Sequence, residues 1–278
     1  MIFYLSATGN TLWAARQIAE RTGERLVSMA GVAGCARVYS LDEGERVGFC
    51  FPVHGWRPPL AVRNFVGDLE IRGFAGHYCY VLCTAGDNTG EAVDIMKKDL
   101  SRRGIVVHSA FSIIMPETYV GLPFMDVDKP EDEARKIARA SEQLDVFIRQ
   151  IQDRERGVEQ VVRGRWPRIN SRVIGALFVK KIITDKPFRV VSGRCTACGL
   201  CSKVCPAGDI IWEKGSKPKW KHDGSCMSCF ACYHHCPARA IEYGRRTARK
   251  GQYFFGRKRK GEGGGGGNLA RGPVEEEQ

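Results

Sequence analysis

Eight of the twelve cysteines in this 278-residue chain lie between positions 195 and 236, and their spacing occurs twice. In each run, three cysteines are separated by two residues and a fourth follows after three more, directly before a proline. The runs are Cys195, Cys198, Cys201 and Cys205, and then Cys226, Cys229, Cys232 and Cys236. This is the ligand spacing of cubane [4Fe–4S] clusters, whose chemistry is the transfer of single electrons.

The two runs are expected to exchange their last ligands. Three closely spaced thiolates reach three irons from one loop, whereas the cysteine before proline lies on a segment that turns away toward the other cluster. One cluster is therefore predicted on Cys195, Cys198, Cys201 and Cys236, and the other on Cys226, Cys229, Cys232 and Cys205. Two zinc sites are the alternative, because Cys-x-x-Cys pairs also bind zinc. Zinc leaves the third cysteine and the Cys-Pro dipeptide of each run unexplained.

A second candidate site follows the first apolar run of the chain, in the segment Ser6-Ala7-Thr8-Gly9-Asn10-Thr11. Hydroxyls and backbone N–H groups at the start of a helix bind phosphate without needing a lysine. The segment has neither the Gly-Lys-Ser/Thr of a P-loop nor the three glycines of a dinucleotide fingerprint. A phosphomonoester is the ligand that fits, and an ordinary Ser/Thr-capped turn is the alternative.

Strand-like and helix-like segments alternate around this loop. Apolar runs at 2–5, 47–51 and 78–83 predict strands covered on both faces, and 105–107 and 111–114 are expected to belong to a further strand. Helices are predicted from Leu12 to a stop at Gly23 and again from Pro130, where three acidic residues follow. The apolar face of the second helix is formed by Ile137, Leu144, Phe147 and Ile151. This alternation is typical of a doubly wound α/β domain.

Taken together, the chain resembles a prokaryotic family of flavodoxin–ferredoxin fusions. Its N-terminal loop is similar to the Ser/Thr-x-Thr-Gly-Asn-Ser/Thr phosphate loop of flavodoxins, and its cysteine runs are similar to those of bacterial two-cluster ferredoxins. Met1-Ile2-Phe3-Tyr4 and Ala240-Ile241-Glu242-Tyr243-Gly244 resemble the family as well. The resemblance covers roughly residues 1–255 and is strongest at the two ends. It implies a flavodoxin-like doubly wound parallel sheet followed by a small α+β ferredoxin domain with two clusters.

Four segments are predicted along the chain. A flavodoxin-like domain occupies 1–151, a basic connecting segment 152–190, a two-cluster ferredoxin domain 191–255 and a Gly- and Glu-rich disordered tail 256–278. The connecting segment contains an apolar stretch at 173–179 before two lysines. Packing between the two halves is its favoured interpretation, and an amphipathic helix on a membrane surface is the alternative.

The resemblance also implies FMN as the ligand of the N-terminal loop. Its phosphate would be held by Ser6, Thr8, Gly9, Asn10 and Thr11. The loops at 52–56 and 84–90 should surround the ring, because flavodoxin-like sheets bind FMN where the strand order reverses. Trp56 is expected to stack on the ring or to be a packing tryptophan, and Gly86 and Asn88 are expected at its polar edges. His54 and Arg57 would add positive charge there and raise the flavin potential; loss of FMN binding is the alternative.

Other polar and sulfur-containing residues have weaker assignments. His222, His234 and His235 are candidates for hydrogen bonds to the clusters, with packing as the alternative. Cys83 is a candidate reactive thiol or a buried structural cysteine, and the latter is favoured. The remaining cysteines, Cys35, Cys50 and Cys79, are assigned to packing.

The predicted function is an electron-transfer protein that passes electrons between two [4Fe–4S] clusters and FMN, and on to a redox partner. No catalytic acid or base is required for this. One alternative is a flavin-dependent reductase of a small substrate, fed by its own ferredoxin domain, with a pocket lined by Trp56, His54 and Tyr119. Another is a non-redox interaction protein stabilised by metal. A carrier is favoured over a stand-alone enzyme.

The charge of the chain indicates the kind of partner. Residues 1–150 carry 17 Lys and Arg against 19 Asp and Glu, whereas residues 151–278 carry 26 against 12. Each cluster with its thiolates contributes about −2, so the C-terminal half stays basic and a redox partner with an acidic docking surface is expected. Nucleic acid is not expected, because no reading motif is present. The sequence contains neither a membrane-spanning run nor a signal peptide, which predicts a cytoplasmic protein. Its oligomeric state stays open.

Overall fold

The structure is a computed structural model that describes residues 1–31 and 37–257. Cys35 lies outside the described residues, and so does the predicted disordered tail beyond residue 257.

The N-terminal part is built around a six-stranded parallel sheet with the order β2-β1-β4-β6-β7-β8. Its strands are β1 (Ile2–Tyr4), β2 (Leu26–Ser28), β4 (Val47–Pro52), β6 (Cys79–Ala85), β7 (Ser109–Ile114) and β8 (Glu159–Gln160), and a separate parallel pair is formed by β3 (Arg37–Ser40) and β5 (Leu69–Arg72). The chain runs outward from β1 to β2 and then in the other direction from β4 to β7, so the strand order reverses between β1 and β4. This confirms the predicted doubly wound parallel sheet, whose ligand position is at that reversal.

Helices cover both faces of the sheet. Helices α1 (Asn10–Thr22) and α4 (Pro130–Gln152) pack on one face, and α2 (Leu60–Asp68) and α3 (Ala92–Ser101) pack on the other. Side chains of one strand alternate between the two cores: Phe49 and Phe51 face α2 and α3, whereas Cys50 faces α1 and α4. Burial on both faces explains why these strands are almost continuously apolar.

Two helix ends agree with the sequence pattern and one strand does not. Helix α1 ends at Gly23 in the left-handed conformation, and α4 begins at Pro130 with three acids in its first turn. The prediction of a strand at 105–107 is wrong, since β7 begins only at Ser109. The backbone N–H of Ile105 instead donates to the Leu100 carbonyl at 3.1 Å and closes the end of α3, so its apolar character comes from a buried helix cap.

The C-terminal part is a small α+β unit. Strand β9 (Phe188–Val190) pairs antiparallel with β12 (Ile241–Tyr243), and β10 (Ile210–Ile211) pairs antiparallel with β11 (Lys219–Trp220). Two short helices, α7 (Leu200–Lys203) and α8 (Ala231–His234), contact each other. The rings of Phe188, Phe230 and Tyr243 lie 4.8–5.2 Å apart between centroids and form its core.

The segment 152–190 contributes to both parts. It supplies β8 to the parallel sheet and ends in β9 of the C-terminal unit. Between them lies a helical run of α5 (Pro167–Ile169), a π-helical turn (Asn170–Ile174) and α6 (Gly175–Lys181). The domain boundaries predicted from the sequence stay predictions. Among residues 1–31 and 37–257, no helix has the length and apolar character needed to cross a bilayer.

The end of the described chain returns to the N-terminal loop. The Phe255 N–H donates to the Thr8 carbonyl at 2.8 Å, and the Tyr253 hydroxyl donates to Asn10 Oδ1 at 2.7 Å. The buried Lys250 ammonium donates to the carbonyls of Val120, Leu122 and Met125. These contacts fix the C-terminal part against the edge of the sheet that carries the N-terminal loop.

Candidate functional site

The cysteines form two groups in space, and each group mixes the two sequence runs. Cys236 of the second run lines the same small cavity as three cysteines of the first, namely Cys195, Cys198 and Cys201. Cys205 of the first run interacts electrostatically with Cys226, Cys229 and Cys232. We call these the outer group and the inner group. Cys198 of the outer group is exposed to solvent.

Burial dominates the acid–base properties of the inner group. Burial, and then the neighbouring thiols, raise the pKa of Cys229 to about 12 and raise the pKa of Cys226 and Cys232 as well. Such thiols act as ligands only when a bound cation offsets the cost of their negative charge. In the described part of the chain, no three His, Cys, Asp or Glu side chains converge as the ligands of a single metal ion do. The thiolates of a cubane instead bind four separate irons.

The backbone around the cysteines repeats together with the sequence. Left-handed residues occur at equivalent positions 31 residues apart: Ala197 and Ser228, Gly199 and Phe230, and Gly208 and Arg239. These turns curl each loop so that its N–H groups and thiols point inward; the N–H of Ser228 donates to Cys226 Sγ at 3.4 Å, and that of Ala240 donates to Cys236 Sγ at 3.2 Å. Gly199 is also required sterically, because a Cβ there would lie 2.6 Å from the Trp212 ring.

The three histidines near the cysteines have oxygen or carboxylate partners. His234 Nε2 lies 2.7 Å from the Thr118 carbonyl oxygen, and its Nδ1 accepts from the Tyr253 N–H at 3.2 Å. His235 Nδ1 lies 2.9 Å from the Ala231 carbonyl oxygen, and His222 Nδ1 lies 2.9 Å from Asp185 Oδ1. Burial lowers the pKa of His234 to about 3, so this ring is neutral at pH 7. The hydrogen-bonding nitrogens of these rings therefore have protein partners other than a cluster, as the packing interpretation predicts.

A cavity of about 800 Å³ lies at the carboxyl ends of β1, β4 and β6, where the strand order reverses. Its wall contains most of the residues that the sequence predicted for a cofactor, namely Ser6, Thr8, Asn10, Thr11, Trp56, Gly86 and Asn88. Gly9 is not among the lining residues; it is the N-cap of α1 in the left-handed conformation, and a Cβ there would lie 3.0 Å from Phe255 Cβ. The parallel sheet therefore brings three separate loops to one cavity.

The loop at 6–11 contains hydrogen-bond donors without partners as well as side chains that are hydrogen-bonded to the rest of the protein. Ser6 Oγ is buried without a hydrogen-bond partner, and the N–H groups of Ala7, Thr8 and Gly9 find no acceptor within the described residues. The Asn10 amide donates to the Pro116 carbonyl at 3.2 Å, and Thr11 Oγ1 lies 2.8 Å from Thr84 Oγ1. Asn10 and Thr11 thus hold the loop in shape, while Ser6 and the backbone donors are available to an anion.

Two residues of the same wall carry further unpartnered atoms. Asn88 Oδ1 and the Tyr119 hydroxyl are buried and have no hydrogen-bond partner among the described residues, as is true of Ser6 Oγ. Asn88 Oδ1 is packed beside Gly164 and the Tyr119 hydroxyl beside Gly121, so the unpartnered atom that indicates an anionic ligand is Ser6 Oγ, next to the free backbone donors. Trp56, in the left-handed conformation, and Phe178 form apolar parts of the wall. The residues present therefore fit a ligand with a phosphate and a large ring system.

The expected positive charge from His54 and Arg57 is wrong. Burial lowers the pKa of His54 to about 4, so the ring is neutral at pH 7. The Arg57 guanidinium does not line the cavity and donates to the Ser171 carbonyl at 2.7 Å. The expected rise in flavin potential therefore has no positive charge from these two residues to produce it. The charged residues that line the cavity are Asp87, Glu117 and Lys181.

Glu117 was missed by the sequence reasoning. Its Oε1 accepts from the N–H groups of Thr118 and Tyr119 at 2.9 and 2.8 Å, and burial raises the pKa of its carboxyl group. Its position in the sequence could have identified it, because Glu117 follows a predicted parallel strand, and the loop after such a strand reaches the same sheet edge as the other loops. No sequence pattern pointed to Phe178, which reaches the cavity from the helical run.

The cavity touches the inner cysteine group directly. Met227, Ser228 and Cys229 are part of its wall. Ser228 is fixed by Thr184, whose N–H donates to Ser228 Oγ at 2.9 Å. No cysteine of the outer group lines the cavity, whereas Cys201 of the outer group interacts electrostatically with Cys232 of the inner group. Among the described residues, the cysteines outside the two groups are Cys50, Cys79 and Cys83; all three are fully buried, and burial raises the pKa of Cys83 to about 12.

A family model for a 4Fe-4S dicluster domain matches residues 188–237. The match begins at β9 and includes all eight clustered cysteines. No curated protein matches the chain. The C-terminal part is therefore an iron–sulfur domain, and it supports a role in electron transfer. The protein combines this domain with a doubly wound α/β sheet.

Proposed function

We propose that the protein transfers electrons between two [4Fe–4S] clusters and an FMN bound in the cavity, and on to a redox partner. The observation that carries this proposal is the shared wall: Cys229 belongs both to the inner cysteine group and to the cavity lining. FMN, when bound, would exchange electrons singly with a cluster and in pairs with an acceptor. The protein itself supplies proximity, exclusion of water and a fixed orientation.

The ligands of the two clusters follow from the spatial groups. The outer cluster would be held by Cys195, Cys198, Cys201 and Cys236, and the inner cluster by Cys205, Cys226, Cys229 and Cys232. The mixing of the two runs, and the N–H donors aimed at Cys226 and Cys236, support this assignment. The exposed Cys198 makes the outer cluster the point of contact with a partner.

The cofactor would be oriented by its two ends. Ser6, Thr8 and the backbone of Gly9, Asn10 and Thr11 would bind the phosphate at the positive end of α1. Trp56, Gly86 and Asn88 would face the ring system, since all three residues line the cavity. The inner cluster would then lie against the same cavity.

The redox partner would dock on the lysines of the hairpin beside the outer cysteine group. Pro218, in the loop between β10 and β11, lines the outer cysteine cavity together with Cys195 and Cys198. This hairpin and its surroundings carry the exposed residues Lys203, Lys214, Lys217, Lys219 and Lys221. None of these lysines pairs with a carboxylate in the part of the chain that the structure describes. An acidic surface is complementary to this patch. A cytoplasmic location and the lack of nucleic-acid binding stay predictions.

A flavin-dependent reductase is the second candidate function. Tyr119 lines the cavity, and so does Phe124, which is 83% exposed, so the cavity reaches the surface on that side. A small substrate could therefore approach from that side. If a candidate substrate is turned over as fast as the donor reduces the clusters, the reductase is favoured over the carrier.

The proposal is tested by mixing the anaerobic holoprotein with a reduced, low-potential acidic carrier and recording cluster and flavin absorbance. We expect both to bleach. Ser6→Ala removes one hydrogen bond to an anion and should weaken FMN binding about tenfold or more, so at limiting FMN only the clusters bleach. Ser101→Ala, on the exposed end of α3, is the matched control and should behave as wild type. Clusters that are reduced beside a bound flavin that stays oxidised would contradict the proposal.

A further inference from the structure

The helical run at 166–181 presents an apolar face to solvent. Trp166, Ile169, Val173 and Leu177 are spaced by three or four residues, and each is at least 50% exposed. Side chains with this spacing lie along one side of a helix. We call these four residues the apolar crest. Soluble surfaces seldom leave several large apolar side chains in one continuous row, so the crest calls for a partner.

The opposite side of the run is fixed firmly to the protein. Ser171 is fully buried, and its hydroxyl donates to the Trp56 carbonyl at 2.9 Å. A Cβ at Gly175 would lie 2.2 Å from the Gly55 carbonyl oxygen, so the helix packs there at backbone distance. Phe178 fills the space next to Gly55. The crest therefore points outward because the other side is occupied.

Basic side chains flank the crest. These are Arg165, Arg168, Arg172, Lys180 and Lys181. Arg172 pairs with Glu91 at 2.7 Å, and Arg165 lies over the Trp166 ring. Within residues 1–31 and 37–257, no carboxylate forms an ion pair with Arg168, Lys180 or Lys181. An apolar row bordered by unneutralised cations is complementary to a surface that is apolar inside and anionic outside.

We infer that the protein docks on an anionic membrane surface through the apolar crest. A convex helical ridge with a tryptophan at one end and lysines at the other is typical of helices that lie in the lipid interface. A protein partner would need a groove that matches the ridge, whereas lipid adapts to it. Leu177 and the exposed Phe124 also line the cavity, so the docking surface is continuous with the cavity mouth. This inference does not depend on FMN or on the direction of electron flow.

The experiment is sedimentation of the holoprotein with vesicles of phosphatidylcholine containing phosphatidylglycerol, and with vesicles of phosphatidylcholine alone. We expect binding to the anionic vesicles that weakens with salt. The double variant Ile169→Gln/Val173→Gln should weaken it about tenfold or more, because two apolar side chains lose their burial. Arg168→Gln and Lys180→Gln should each weaken it about fivefold. The matched control Val106→Gln/Val146→Gln replaces two exposed valines outside the crest and should bind as wild type.

Several results would overturn the inference. They are no binding to anionic vesicles, equal binding to both kinds of vesicle, and undiminished binding of the Ile169→Gln/Val173→Gln variant. A dimer that this variant dissociates, without any vesicle binding, would assign the crest to a second copy of the chain instead. Iron content equal to wild type shows that each variant is folded. On vesicle binding, the tryptophan emission should shift to the blue, and Trp166→Phe should remove most of that shift.

Discussion

At the scale of single residues, the proposed electron transfer depends on which four thiols bind each cluster. The sequence alone predicted the crossed ligand sets from the proline after each fourth cysteine, and the structure places Cys236 with the first run and Cys205 with the second. The left-handed turns could not be predicted, since Ala197, Ser228 and Phe230 are residue types that seldom adopt this conformation. Their repetition becomes apparent only from the backbone angles.

Pairs of cysteine variants test the crossed sets. Cys205→Ala/Cys229→Ala should remove ligands of one cluster only and leave about four irons per chain, whereas Cys205→Ala/Cys198→Ala should affect both clusters and leave almost none. Iron and acid-labile sulfide analysis of anaerobically purified protein measures this. If Cys205→Ala/Cys198→Ala kept about four irons, each run would bind its own cluster and the crossed assignment would be wrong.

At the scale of secondary-structure elements, loops after parallel strands create the cavity. The loops after β1, β4 and β6 could be predicted from the apolar runs that precede them, because parallel strands end at one edge of the sheet. The contribution of the helical run could not be predicted. Gly175 and Phe178 pack against Gly55, and they follow an irregular connection whose path the sequence does not indicate. The charge on His54 was misjudged for a related reason: burial, which decides its protonation, is a tertiary property.

His234 joins α8 to the loop that follows β7, and it makes this junction sensitive to pH. Its folded-state pKa of about 3 lies below the value of about 6.5 for an unfolded histidine, so the unfolded state binds more protons between these values. The contribution of His234 to stability is complete above about pH 6.5 and is lost progressively as the pH falls toward its folded-state pKa. The melting temperature should therefore be lower at pH 5 than at pH 7.

The variant His234→Gln isolates this contribution. Glutamine can still donate to the Thr118 carbonyl and accept from the Tyr253 N–H, but it does not titrate. The difference between the melting temperatures at the two pH values should shrink in this variant. An unchanged difference would assign the acid sensitivity to other groups.

At the scale of the whole molecule, the uneven charge is divided between two surfaces. One set of lysines lies on and around the hairpin whose Pro218 lines the outer cysteine cavity, and a separate set of cations borders the apolar crest near the cavity. The sequence showed the excess of positive charge in the second half but could not show that it is split. Leu177 of the crest lines the large cavity, whereas the hairpin lines the outer cysteine cavity.

Reversal of charge on the hairpin tests the proposed docking of an acidic partner. Lys214→Glu/Lys217→Glu should slow reduction of the clusters by a small acidic carrier about tenfold at low salt, because steering of charged partners is lost. Stopped-flow absorbance measures the second-order rate constant. Lys98→Glu/Arg139→Glu makes the same change of charge on α3 and α4 and should leave the rate near that of wild type. Equal slowing by both pairs would indicate a general charge effect without a docking site.

The content of iron, sulfide and flavin in protein purified without oxygen tests the proposed pair of clusters and the flavin site together. We predict about eight irons, about eight acid-labile sulfides and about one FMN per chain. A colourless protein that contains zinc, or a brown protein with only about four irons, would contradict the pair of clusters. Eight irons without FMN, even after incubation with excess cofactor, would contradict the cavity as a flavin site.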